Sequence, residues 1–181
     1  KQMVPAILIL TLAWTLNGTT ASLGAKEFVA GVIDTHAVAF ASFLPFVIFL
    51  IAVGLSFATG TSWGTFGILI PIVVACFQKT DPQLMIIAMS ACMAGSVCGD
   101  HCSPISDTTI MSSAGAQCNH INHVSTQMPY ALTCAAVSAV TYIIAGLVRN
   151  PVISLVCGLI ILFAVMMIFK IAGGKPAAPA T

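Results

Sequence analysis

The chain has 181 residues, of which 59% are hydrophobic and only 6% charged, and its mean hydropathy is +1.05. That is too apolar for an ordinary soluble domain, where apolar residues make up about half. A net charge of +1 without a Lys/Arg cluster excludes a nucleic-acid surface, and seven cysteines scattered through apolar segments read as small hydrophobes rather than a disulfide framework.

In chain order, Met3 to Leu23 is long enough to cross a hydrocarbon core of about 30 Å, although Asn17 to Thr20 makes its far half polar. Lys26 to Asp34 reads as an interfacial connector, and His36 to Thr59 as a second apolar block kinked at Pro45. The polar joint Gly60-Thr-Ser-Trp-Gly-Thr65 follows. Phe66 to Phe77 then offers about 18 Å of helix, too little to cross alone. Two arms meeting at such a tip predict a re-entrant hairpin over 36–78, tolerated at depth only where protein or water surrounds the tip. An external loop between two spans is the alternative.

Gln78 to Pro82 is a turn. Leu84 to Cys98 is again short and ends at Gly99-Asp-His-Cys-Ser-Pro-Ile-Ser-Asp-Thr-Thr109, after which Ile105 to Gln117 resumes the apolar pattern. Residues 84–117 therefore read as one broken helix. Cys118 to His123 is a boundary loop, Pro129 to Val148 a span, Arg149 to Pro151 a turn, and Val152 to Phe169 a last span. The Gly/Pro/Ala-rich tail 173–181 is expected to be disordered. The predicted fold is all-α: a polytopic membrane protein with a re-entrant helical hairpin and a broken transmembrane helix, one repeat over 1–172. Lys1 is not an initiator methionine, so the chain reads as part of a longer protein. The hairpin puts Lys26, Lys79 and Arg149 on one face and Lys1, Lys170 and Lys175 on the other. This even split leaves the positive-inside rule silent.

Carboxylates inside an apolar run need a reason, because an ionisable group in the bilayer is costly and usually marks an ion or substrate path. Ser103-Pro104 reads as an N-cap followed by proline at the first helical position. Asp107 then lies one turn into the new half-helix beside Ser106, Thr108 and Thr109. Gly99 and Asp100 close the preceding half, whose free carbonyls can ligate a small cation. Carboxylate, hydroxyl and carbonyl oxygens are the groups a hard cation requires. A carboxylate out of water also holds a proton, so Na⁺ and H⁺ would compete for the same oxygens. At the hairpin tip, Thr61, Ser62 and Thr65 offer neutral oxygens, and Gly60 and Gly64 permit close backbone approach. The candidate ion and proton ligands are thus Asp107, Asp100, Ser103, Ser106, Thr108, Thr61, Ser62 and Thr65, with Pro104, Gly99, Gly60 and Gly64 as helix breakers. Solvated helix caps are the alternative for both aspartates.

Ala58 to Ile72 and Gly99 to Leu132 resemble the signature segments of the NhaC-type Na⁺/H⁺ antiporter family, Ser103-Pro-Ile-Ser-Asp-Thr-Thr109 being the most specific string. The resemblance implies a superfamily of two inverted repeats, each giving a hairpin and a broken helix that meet at mid-membrane. This chain would be the C-terminal repeat, and Thr61, Ser62, Ser103, Ser106, Asp107 and Thr108 its ion-site candidates. It further implies Na⁺ and H⁺ as transported ions with no cofactor, a bacterial inner-membrane location, and the bilayer and an N-terminal half as partners. A homodimer is left open.

Three other readings compete. Related family members exchange malate for lactate, so an Na⁺/H⁺-linked organic-acid exchanger is the runner-up, although no arginine near the cluster would clamp a carboxylate. Gly60-Thr-Ser-Trp-Gly64 matches the G-x-S-x-G elbow of serine hydrolases, with His101 or His36 as base. Cys98, His101 and Cys102, or Cys118, His120 and His123, could ligate zinc.

Overall fold

The computed structural model of the chain describes residues 41–77 and 81–172, together with ten positions between Val4 and Gly24. The connector at 26–34, His36, Lys79 and the tail at 173–181 lie outside the described residues. In the first apolar block the described positions from Val4 to Ser22 are helical. The hydroxyls of Thr11, Thr15 and Thr19 each donate to the carbonyl four residues back at 2.8 Å.

Six α-helices follow a short 3₁₀ turn at Ala41–Phe43: α1 (Leu44–Thr59), α2 (Ser62–Phe77), α3 (Pro82–Cys102), α4 (Asp107–Gly115), α5 (His120–Val148) and α6 (Pro151–Ala172). No strand occurs among the described residues. Among the described residues three helices, α3, α5 and α6, are long and apolar enough to cross a membrane. The 16 residues of α1 and of α2 make about 24 Å each, short of a full crossing.

Several boundaries differ from the sequence-based expectation. Pro45 does not kink α1 but sits in its first turn, where a missing N–H costs nothing. The polar tip shrinks to Gly60 and Thr61, because Ser62 to Thr65 are already the first turn of α2. Gly64 is therefore helical and breaks nothing. The segment read as a short arm ending at Cys98 is the 21-residue α3, which runs on to Cys102. Likewise α5 begins at His120 and passes through Pro129, so most of the expected boundary loop is helix.

α1 runs parallel to α3, and α2 and α5 run antiparallel to it. Gly95 and Gly99, one helical turn apart on α3, let it meet α1 backbone to backbone. A Cβ on Gly95 would collide with the Phe49 carbonyl, and one on Gly99 with the Val53 carbonyl and, at 2.9 Å, with the Phe57 nitrogen. Gly99 is thus a packing residue inside α3 rather than a helix breaker, an instance of the small-residue contacts by which membrane helices approach. Ser56 adds a 2.6 Å hydrogen bond from its hydroxyl to the Ser96 carbonyl. The apolar core lies between the hairpin and α3, with Ile48 and Ala52 from α1, Leu69 and Val73 from α2, and Leu84, Ala88 and Cys92 from α3.

Burial falls from the centre outward. In the most apolar stretches 44% of α3 is buried inside the protein, against 17% of α5 and 6% of α6. The outer helix, apolar all round, is suited to lipid.

At the end away from the helix break, Arg149 pairs with Asp81 at 3.0 Å. The Asp81 carboxylate also caps α3, accepting from the N–H groups of Gln83 and Leu84 at 3.1 and 3.0 Å. The cap outweighs the pair, because an exposed ion pair contributes about 0–1 kcal/mol and an N-cap typically about 1 kcal/mol. Asp81→Ala is therefore expected to lower the melting temperature of the detergent-purified protein by a few degrees, and Arg149→Ala by less. Equal shifts in a thermal melt would show that the pair, not the cap, dominates.

Candidate functional site

Two interruptions meet at one end of the helix pack. At the first, α1 stops because Gly60 takes a left-handed conformation, φ 67°, and its N–H bonds the Ser56 carbonyl at 2.8 Å. At the second, α3 stops at Cys102, and Ser103 turns extended with its N–H on the Asp100 carbonyl at 3.1 Å. Pro104 lies in the turn itself, not at the first helical position, and the N-cap is Ser106, not Ser103. Asp107 is consequently the first residue of α4 rather than one turn inside it. The cause is the proline: it fixes the chain in the turn, and the next hydroxyl able to accept from a helical N–H is Ser106, which takes that of Thr109 at 3.3 Å.

The tip and the break touch through backbone. The Asp107 N–H donates to the Gly60 carbonyl at 3.3 Å. A Cβ on Gly60 would come within 2.7 Å of the Ile105 carbonyl oxygen. Only a residue without a side chain fits there, and only glycine adopts that φ freely.

Asp100 stands at the centre of the break. It is 1% exposed. Its Oδ1 accepts from the Ser106 hydroxyl at 2.7 Å and its Oδ2 from the Thr108 hydroxyl at 3.1 Å, and those hydroxyls lie 2.8 Å apart. Among the described residues the buried hydroxyls of Ser103 and Thr109 find no hydrogen-bond partner, which is uncommon because a buried polar group left unpaired is costly. Asp107 is placed differently: half-buried, with Oδ1 turned back to accept the Thr108 N–H at 2.7 Å. The structure thus draws Asp100, Ser103, Ser106 and Thr108 together and leaves Asp107 at their edge. Thr61 in the adjacent tip and Ser62 and Thr65 in the first turn of α2 are buried, Thr65 donating to the Thr61 carbonyl at 3.0 Å. No hydrogen bond joins their side chains to Asp100 or Asp107.

A cavity of about 850 Å³ opens beside this cluster between α3, α4 and α5, lined by Thr108, Thr109, His101, His123, Gln127 and Tyr130 among others. Among the described residues no Lys or Arg lines it.

Gly95, Gly99 and His120 take roles here that the sequence reading did not give them. Gly95 and Gly99 had a legible signal, two glycines four apart in an apolar helix. His120 was weighed only as a zinc ligand, and no sequence signal pointed to the contacts it makes. Its ring reaches the Pro104 carbonyl and the Ser113 hydroxyl.

The competing chemistries do not fit this geometry. A nucleophile elbow needs a strand before the serine, whereas Ser62 has a helix on either side of the tip. His101 turns its Nδ1 to the Val97 carbonyl of its own helix at 2.8 Å. Among the described residues no three His, Cys, Asp or Glu side chains converge as a metal site.

Comparison with known proteins points to one family. The model of the Na⁺/H⁺ antiporter family matches residues 1–147, which hold the hairpin, the break and all but the last residue of α5. A Haemophilus influenzae protein is 47% identical over 146 residues, 81% of this chain and 28% of its own. The malate-2H⁺/Na⁺-lactate antiporter of Bacillus subtilis is 29% identical over 146 residues, 78% of this chain and 30% of its own. A second H. influenzae protein, named as an uncharacterized Na⁺/H⁺ antiporter, is 32% identical over 146 residues, 81% of this chain and 31% of its own. The chain therefore spans less than a third of the length of these relatives. No solved structure matches it. A hairpin tip locked onto a broken helix, long apolar helices around them, and a family match over most of its length identify this multi-pass membrane chain as belonging to the Na⁺/H⁺ antiporter family.

Proposed function

We propose that this chain carries part of the ion-translocation site of an Na⁺/H⁺ exchanger in a bacterial inner membrane, with Asp100 as the group that takes either ion. The observation that carries this reading is the buried Asp100 carboxylate held by two hydroxyls, with two further buried hydroxyls that lack partners among the described residues. In the proton-loaded state the carboxyl is neutral and hydrogen-bonded to Ser106 and Thr108. In the sodium-loaded state the carboxylate and the oxygens of Ser103, Ser106 and Thr108 supply the hard ligands that a small cation requires. Competition for one set of oxygens, exposed alternately to the two sides, exchanges the ions without a cofactor. Asp107 acts at the edge of the site, and Thr61, Ser62 and Thr65 line the tip that closes over it. The remainder of the site comes from another part of the same transporter.

The second reading, Na⁺/H⁺-linked organic-acid exchange, draws on the name of the Bacillus subtilis relative and on the cavity beside Thr108 and Thr109. Among the described residues that cavity has no Lys or Arg, which favours the simple cation. A pH-gradient dye assay on everted membrane vesicles, with Na⁺, Li⁺, K⁺ and malate added in turn, separates the two. Proton movement on Na⁺ or Li⁺ alone is the expected outcome. A response that requires malate would establish the organic-acid exchanger instead, and no response to any of the four would remove both.

A further inference from the structure

We infer that His120 is a positioning residue for the ion site, acting through the helix break and not through contact with the ion. This role rests on the reading of Asp100 and its hydroxyls as the site. His120 opens α5. Its Nε2 lies 2.6 Å from the Pro104 carbonyl oxygen and its Nδ1 3.0 Å from the Ser113 hydroxyl, so one ring ties α5 to both the break and α4. The Pro104 oxygen can only accept, so Nε2 carries a hydrogen. A serine hydroxyl can donate or accept, so the tie to Pro104 persists whether the imidazole is neutral or charged.

The break needs such a tie. Between α3 and α4 the chain has few bonds of its own: Ser103 N–H to the Asp100 carbonyl at 3.1 Å, and Ser106 N–H to the Ser103 carbonyl at 3.3 Å. Pro104 has no N–H to offer. On the inner side the Ile105 carbonyl lies against Gly60, with no room for a Cβ. On the outer side the Pro104 carbonyl is taken by His120. The first contact holds the Ile105–Ser106 peptide and the second the Pro104–Ile105 peptide, so together they fix the turn on either side of Ile105. These peptides lead directly into Ser106, so turning them would carry its hydroxyl away from Asp100. His120 thereby fixes the spacing of the ligand oxygens, which should register as affinity for Na⁺ more than as turnover.

The test is a Na⁺ titration of proton movement in vesicles containing the whole transporter, for wild type, His120→Gln, His120→Asn, His120→Ala and Asp100→Asn. A glutamine amide N–H falls near the position of Nε2 and an asparagine amide near that of Nδ1, so the pair separates the tie to Pro104 from the tie to Ser113. His120→Gln is expected to keep the half-saturating Na⁺ concentration within about twofold of wild type. His120→Ala and His120→Asn should raise it about tenfold, the scale of one hydrogen bond, with the maximal rate per transporter changed less than about twofold. Immunoblots of the membranes normalise the rates, and if the alanine variant fails to accumulate, the Gln/Asn pair decides. Wild-type affinity in His120→Ala, equal defects in Gln and Asn, or a loss confined to maximal rate would each overturn the assignment while leaving Asp100 in place. Full transport in Asp100→Asn would instead remove the site, and the role of His120 with it.

Discussion

Asp100→Asn is expected to abolish Na⁺-driven proton movement in everted vesicles, by at least about a hundredfold, while the amount of protein in the membrane should stay near that of wild type. The substitution conserves shape, so the buried space around residue 100 remains filled. The hydroxyls of Ser106 and Thr108, which donate to Asp100 at 2.7 and 3.1 Å, can rotate to accept from the new amide. Folding therefore survives. The asparagine can neither bind a proton nor offer a net negative charge to a cation, so both half-reactions stop. Asp107→Asn is expected to be milder, because that carboxylate is half-buried and already accepts the Thr108 N–H at the start of α4. An acid at such a position typically contributes only about 0.3–1 kcal/mol. A dead Asp107→Asn beside an active Asp100→Asn, both present in the membrane, would reverse these roles.

Gly60→Ala should cost more than tenfold in transport and lower the melting temperature by several degrees. A left-handed conformation costs a residue with a Cβ about 1–2 kcal/mol. The larger penalty is steric: the new carbon would meet the Ile105 carbonyl oxygen at 2.7 Å and its carbon at 2.9 Å. Both are backbone atoms and cannot rotate aside. Relief requires the tip to move off the break, which also breaks the bond between the Asp107 N–H and the Gly60 carbonyl. Gly54→Ala is the matched control, because nothing lies within 4 Å of a Cβ there and alanine is the better helix former. The site geometry would be wrong if Gly60→Ala transported as well as Gly54→Ala.

Much of the fold was legible because a bilayer tolerates few polar groups, so each polar island in an apolar run marks something. The Gly60 tip and the Ser103-Pro104 turn both stood out in this way. Local pattern was a poorer guide to where each helix starts. Ser62 and Thr65 looked like loop residues but form the first turn of α2, where hydroxyl residues are at home. Gly99 looked like an end and is a contact, because a glycine inside a helix is costly alone but admits a neighbouring backbone. The family resemblance favoured Asp107 over Asp100, but seven residues along the chain say nothing about which carboxylate faces inward, and it is Asp100 that lies buried.

What the amino-acid sequence determined alone is the medium and the chemistry on offer: an all-helical chain for a membrane, interrupted where carboxylates and hydroxyls sit, with the signature of an antiporter family. Those features follow from transfer free energy and from proline and glycine stereochemistry, which act residue by residue. The tertiary structure alone decided that the two interruptions meet, that Asp100 is buried among Ser106 and Thr108, and that His120 holds the break from outside. Those depend on helices distant in sequence packing at backbone contact, with Gly60, Gly95 and Gly99 allowing the approach. No local property of the chain encodes that arrangement.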